Sequence, residues 1–185
     1  MRLVVFAASN SRKSINKALV QHAAERFVAD VAPNTDVTVL DLNDFEMPIY
    51  STDREQEGGI PDQAQAFYDA IGSADALLIS YAEHNGSYTA AFKNIFDWSS
   101  RVSMRVFQDK PTVILSTSPG AGGGASVMKT ALGAAPHFGA QVVASLSVPR
   151  FNTAFDTDAG TLVDGELIQK LGEALRALGT QMHSK

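Results

Sequence analysis

The strongest constraint on the fold of this chain is a regular alternation along its length. Short continuous apolar runs are each followed by a stretch of helical period. Arg2 to Ala8 is a β-rich apolar run that stops at Ser9-Asn10-Ser11, after which Ile15, Ala18, Leu19, Ala23 and Phe27 recur at helical spacing. Pro33-Asn34 breaks that helix, and Val37 to Leu42 reads as a second strand. A loop with Met47-Pro48-Ile49-Tyr50 and Gly58-Gly59 follows, and Pro61 then starts a helix with Ala64, Phe67, Tyr68 and Ile71 inward. Ala76 to Tyr81 is the third strand and Ala90 to Val102 is helical. Pro111 opens the fourth strand, Thr112 to Thr117, and a Gly-rich loop and a helix over Ser126 to His137 come next. Gln141 to Val148 is the fifth strand, and the last helix carries Leu167, Ile168, Leu171, Leu175 and Leu178.

Five strands separated by helices predict an α/β protein with a parallel sheet covered on both faces. The runs are continuously apolar rather than alternating, as strands buried on both sides require. Neither a repeat nor a linker interrupts the pattern, so residues 1–185 read as one doubly wound domain. That length suffices to bury roughly 70% of the unfolded surface. The net charge of -5, with no basic run, disfavours a nucleic-acid partner. No apolar run approaches the ~20 residues that cross a bilayer. The first apolar stretch is too short for a signal core, which gives a cytoplasmic expectation. Cysteine is absent, which removes disulfides, thiolate chemistry and cysteine-ligated metals together.

In such a sheet, ligands bind beyond the carboxyl ends of the strands, where strand order reverses. The segments there are Ser9-Asn10-Ser11-Arg12-Lys13-Ser14-Ile15-Asn16, Glu83-His84-Asn85-Gly86-Ser87-Tyr88, and Ser118-Pro119-Gly120-Ala121-Gly122-Gly123-Gly124. The first places hydroxyls, an amide and two cations directly before a helix, whose N-terminus offers unpaired N–H groups and the positive dipole end. It suits a phosphate caged by Ser9, Ser11 and Ser14 with charge from Arg12 or Lys13; it equally suits a capped helix with Ser14 as N-cap. There is no Walker-type loop and no G-x-G-x-x-G here, and no acidic pair for a magnesium-dependent receiver. What remains is a monophosphate held without metal. Asn85-Gly86 and Pro119-Gly120 are turn dipeptides, and with Gly122 to Gly124 they also allow backbone to approach a flat ring closely. Together the three loops suit flavin mononucleotide (FMN).

Those same residues carry a family resemblance. Ser9, Ser14 and Asn16 keep the spacing of a phosphate loop G-S-x-R-x-x-S-x-N, with Ala8 in the glycine's place, Ser11 in the arginine's, and Arg12 one position later. Ala82-Glu83-His84-Asn85-Gly86-Ser87 followed by Phe92-Lys93-Asn94-Ile95-Phe96-Asp97-Trp98 and Arg101 is similar to P-E-Y-N-x-S followed by L-K-N-x-x-D-W. Ser116 to Gly124 matches a serine-rich strand end with a later double glycine. Over essentially its whole length the chain resembles the NADPH-dependent FMN reductase family, which includes quinone, azo-dye and chromate reductases.

The resemblance implies a flavodoxin-like sheet of order 2-1-3-4-5. It also implies an NAD(P)H-dependent flavin or quinone-type oxidoreductase that uses bound FMN in ping-pong hydride transfer, with NADPH or NADH as donor. The acceptor would be a quinone, free flavin or similar small molecule. The candidate cofactor-binding residues are Ser9, Ser11, Arg12, Ser14, Ile15 and Asn16; Ala82, Glu83, His84, Asn85 and Gly86; and Ser118, Pro119 and Gly120. No catalytic acid or base and no metal ligand is assigned. Family members are usually dimers or tetramers, with the helix after the second motif at the interface. Here that helix carries Ala91, Ile95, Trp98 and Val102 in one stripe beside Phe92 and Phe96, an apolar arc wider than one sheet-facing stripe needs. The alternatives are an FMN-binding electron carrier without NAD(P)H turnover, a serine hydrolase using Ser87 and His84 without the usual nucleophile elbow, and a non-enzymatic interaction module.

Overall fold

All five apolar runs become strands of one parallel sheet in the computed structural model, which describes residues 1–182. β1 (Arg2–Ala8) leads through α1 (Ile15–Asp30) to β2 (Asp36–Leu40). A 3-10 turn at Leu42–Phe45, α2 (Thr52–Gly58) and α3 (Asp62–Gly72) precede β3 (Ala76–Tyr81). A short ribbon, β4 (Glu83–His84) and β5 (Ser87–Tyr88), connects to α4 (Ala90–Val102) and β6 (Pro111–Thr117). Then come α5 (Ala125–Ala134), a 3-10 turn at Ala135–Phe138, and β7 (Gln141–Val148). The short α6 (Phe151–Ala154), a second ribbon of β8 (Phe155–Asp156) and β9 (Thr161–Leu162), and α7 (Gly165–Met182) complete the described chain. The sheet order is β2-β1-β3-β6-β7, the expected 2-1-3-4-5 once the ribbon strands are left out of the count.

Alternate residues of each central strand feed opposite layers, which explains the continuous apolar runs. In β1, Leu3, Val5 and Ala7 pack with Leu19 and Phe27 of α1 and Leu175 of α7. Val4, Phe6 and Ala8 pack with Phe67 of α3 and Phe92 and Ile95 of α4. The edge strands β2 and β7 are only partly buried, because each has a neighbour on one side alone.

Thr52–Gly58 forms a helix where the sequence suggests only loop. It buries none of its residues and so leaves no apolar period to read. Local chemistry makes it: Ser51 Oγ accepts from the Arg54 N–H, Asp53 and Glu55 sit in the first turn, and Gly59 ends it at φ 75°. The segment before it straps α4. Asn94 Oδ1 accepts from the Tyr50 N–H (2.8 Å), and Asn94 Nδ2 donates to the carbonyls of Met47 (3.0 Å) and Pro48 (3.2 Å). Trp98 Nε1 donates to the Pro48 carbonyl at 2.7 Å, with the Tyr50 ring edge-on to the indole. Arg101 Nε reaches both carboxylate oxygens of Glu55 at 3.0 Å, so it pairs with α2. Phe92, Ile95, Phe96 and Trp98 are therefore buried within one chain, and the breadth of that arc no longer argues for a subunit interface.

On the opposite layer His22 of α1 is buried with its ring 5.7 Å from that of Phe155 and nearly perpendicular to it. Among the described residues its Nε2 has no hydrogen-bond partner. Burial, then the Arg26 charge, holds its pKa below the ordinary value of 6.5. A histidine held neutral in the fold takes up its proton preferentially in the unfolded chain, so stability falls as pH drops below about 6.5. The urea midpoint is expected to be lower at about pH 5.5 than at pH 7.5, and His22→Phe is expected to shrink that difference. In the strap, Asn94→Ala is expected to cost about 2 kcal/mol in urea denaturation, because three hydrogen bonds are lost, and to expose residues 47–58 to limited proteolysis.

Candidate functional site

The loop after β1 folds on its own hydroxyls. Ser9 Oγ accepts from the Ser11 N–H at 3.2 Å, and Ser14 Oγ accepts from the Lys17 N–H at 3.3 Å as the N-cap of α1. The cap reading of Ser14 is thus correct, and it leaves the hydroxyl hydrogen free to donate elsewhere. Among the described residues no acceptor is in place for the N–H groups of Arg12, Lys13, Ile15 and Asn16. They sit at the positive end of a four-turn helix.

Asn16, one of the candidate cofactor-binding residues, turns its side chain into the scaffold. It is 2% exposed, and its amide is committed to the scaffold. Oδ1 accepts from Ser80 Oγ of β3 (2.8 Å) and from the Thr117 N–H of β6 (3.1 Å), while Nδ2 donates to the Thr117 carbonyl (3.3 Å). What Asn16 presents to the cleft is its backbone N–H.

The second wall is the β4–β5 ribbon. Asn85 at φ 51° and Gly86 at φ 78° make the two-residue turn, the left-handed pair that tight hairpins of this hand require. Glu83 Oε2 accepts from the Val127 N–H at 3.0 Å and so caps α5, whose own N-cap, Gly124, has no side chain to do it. The third wall is Thr117 to Pro119. Beyond it, Gly123 and Gly124 have positive φ, which the loop's own geometry requires. Gly123 lies at φ 58° with its carbonyl accepting from both Ser116 Oγ and Ser147 Oγ at 2.8 Å.

These three walls enclose a cleft of about 240 Å³ at the carboxyl ends of β1, β3 and β6. Ser9, Ser11, Ser14, Ile15 and Asn16 line it, with Ala82, Glu83 and His84 opposite and Ser118 and Pro119 at the third side. Of the residues singled out in the sequence, Arg12, Asn85, Gly86 and Gly120 do not line it. Asn85 and Gly86 form the tip of the ribbon, and the Gly120 carbonyl is taken by the Arg150 N–H. Of the two cations that could supply charge to a phosphate, Lys13 lines the cleft and Arg12 does not, and Thr117, which carries no ligand signal in the sequence, lines it at the end of β6. A better signal for Lys13 was its place directly before the N-cap. Lys17, one turn on, is bound to Asp41 at 2.8 Å, and that hydrogen bond is the first cause holding the Asp41 carboxyl down to about 2. Among the described residues there is no cluster of His, Cys, Asp and Glu fit for a metal, and no helix long and apolar enough to cross a membrane.

Comparison with known proteins gives the family and the fold. The model of the family described as NADPH-dependent FMN reductase matches residues 1–153. A potato (Solanum tuberosum) protein named NAD(P)H:quinone oxidoreductase is 30% identical over 181 residues, covering 96% of this chain and 91% of its own. Among solved structures, the flavoenzyme NAD(P)H:(acceptor) oxidoreductase FerB from Paracoccus denitrificans superposes with a TM-score of 0.74 at 23% identity, over 99% of this chain and 97% of that one. An FMN-dependent NADH-azoreductase from Bacillus anthracis, solved in complex with FMN, gives 0.65 at 12% identity over 98% of each chain.

A Cβ at Gly123 would collide with Ser147 Oγ and lie 2.9 Å from the Pro149 nitrogen. Gly123→Ala is therefore expected to lower stability by about 2 kcal/mol or more, a fall in Tm of roughly 4–8 °C. Gly133→Ala, on α5 with nothing within 4 Å, is the contrast: a small rise in Tm is expected in the same calorimetric scan.

Proposed function

The chain belongs to the NADPH-dependent FMN reductase family as a flavoenzyme of the NAD(P)H:quinone oxidoreductase type, and we propose that it holds FMN in the cleft at the ends of β1, β3 and β6. The acceptor we assign is a quinone-type molecule, the class named for the potato relative and for a 2-hydroxy-1,4-benzoquinone reductase from Burkholderia. The observation that carries the reading is the set of unpaired N–H groups of Lys13, Ile15 and Asn16, three residues that line the cleft at the start of α1. A phosphomonoester is the chemistry that satisfies such a set: it offers several acceptor oxygens and a charge that the helix dipole favours. The Ser9 and Ser14 hydroxyls and the Lys13 ammonium complete the donors. The one carboxylate lining the cleft, Glu83, is held by α5, so it does not compete for them.

When bound, FMN supplies the capacity to accept a hydride from the nicotinamide and to give up two electrons to the acceptor. The chain's part is placement. Ala82 to His84, stiffened by the ribbon, would hold the flavin through backbone groups, and Ala82 and Pro119 would offer it apolar contacts. Aligning donor and acceptor atoms at ~3–3.5 Å is the main rate contribution asked of the protein, and no side-chain acid or base is needed for it. We place the activity in a homo-oligomer, dimer or tetramer, as for the family.

Two measurements test this. Purified protein supplied with FMN is expected to show a bound-flavin band and to oxidise NADPH or NADH with a quinone. A colourless protein that takes up no FMN would sink the reading. Ser14→Asp keeps a competent N-cap while adding a negative charge at the phosphate. It is expected to weaken FMN affinity about tenfold or more, measured by flavin fluorescence titration. Unchanged affinity would show that the phosphate sits elsewhere.

A further inference from the structure

Arg12 lies outside the cleft and lines the hollow that adjoins it. Most described cations are occupied by carboxylates or carbonyls; Arg12, Lys13, Lys129, Arg150 and Arg176 make neither an ion pair nor a side-chain hydrogen bond among the described residues. Arg12 and Lys13 follow β1 and Arg150 follows β7, so these three gather at the carboxyl end of the sheet. In a chain of net charge -5 this is a local reversal of sign.

The reversal has a concave seat. A hollow of about 330 Å³ shares the wall Lys13-Ser14-Ile15 with the cleft and runs along α1 past Lys17 and Gln21 to Thr157. Arg12 lines this hollow and not the cleft, and no acidic side chain lines it. Lys17 is neutralised by Asp41, so the uncompensated charge belongs to Arg12 and Lys13. A nicotinamide nucleotide whose reactive end enters the cleft must run its adenosine half out over a neighbouring surface. NADPH differs from NADH there by a single phosphomonoester on the ribose.

We propose that this hollow receives the 2′-phosphate of NADPH, with the Arg12 guanidinium as its fork-shaped donor and Lys13 standing between that phosphate and the flavin's. The proposal rests on the flavin reading of the adjoining cleft. It makes Arg12 a specificity-determining residue for the donor and not a flavin ligand. The two phosphomonoesters that could claim Arg12, FMN's and NADPH's, are separated by the test.

The experiment compares wild type, Arg12→Gln and a control, Lys129→Gln, which removes an equal charge from α5. In FMN-loaded protein, Arg12→Gln is expected to raise KM for NADPH about tenfold while KM for NADH and the Kd for FMN stay within about twofold. Isothermal titration supplies a readout apart from turnover. Wild type should bind 2′,5′-ADP about tenfold more tightly than 5′-AMP, Arg12→Gln should lose that margin, and Lys129→Gln should keep it. Equal binding of the two nucleotides by wild type overturns the proposal. So does a margin that survives in Arg12→Gln or disappears equally in Lys129→Gln. A loss of FMN affinity in Arg12→Gln overturns it by assigning Arg12 to the flavin phosphate. Wild-type protein that takes up no FMN marks failure of the underlying reading instead.

Discussion

The cleft depends on one buried amide. Asn16 ties the first turn of α1 to β3 through Ser80 and to β6 through both backbone groups of Thr117. Those three elements carry the three loops that form the cleft walls, so a single side chain fixes their spacing. The arrangement suits asparagine: it alone of the small side chains offers a donor and a two-lone-pair acceptor on one planar group. Removing it would leave the Ser80 hydroxyl and the Thr117 N–H buried and unpaired, the costly outcome for polar groups. A candidate cofactor-binding residue thus acts, through its side chain, as the frame.

A similar reassignment applies to the long second motif. Asn94 and Trp98 bind the carbonyls of Met47 and Pro48, Lys93 pairs with Asp97 one turn on, and Arg101 holds Glu55. The motif therefore reads as instructions for fastening a strap across α4, and only its first part, Ala82 to His84, lines the cleft. The strap also buries the aromatic arc that the sequence alone would leave open to a partner.

Strands and helices with an apolar face were legible because burial imposes a period on them: β1, α3, β3, α4, β6, β7 and α7 follow directly. α2 was not, since it rests on a cap and acidic first-turn residues with no buried side chain. The three cleft segments were legible from the rule that ligands gather at strand ends, but side-chain direction within them was not. Arg12 and Lys13 are adjacent cations with the same composition and propensity, and only the turn into α1 decides that Lys13 faces the cleft. Glu83 likewise reads as a cleft residue, while its carboxylate is drawn off by the bare N-terminus of α5.

The ribbon at Glu83 to Tyr88 has a further consequence. Its turn is held in a left-handed pair at Asn85-Gly86, its strands are paired, and its base is anchored to α5. A wall built this way is ordered before any ligand arrives. Loops that order only on contact spend part of the contact energy on their own lost freedom, about 0.5–1.5 kcal/mol for each mobile side chain. This wall is spared that expense, so contact with it asks for little rearrangement of the ribbon.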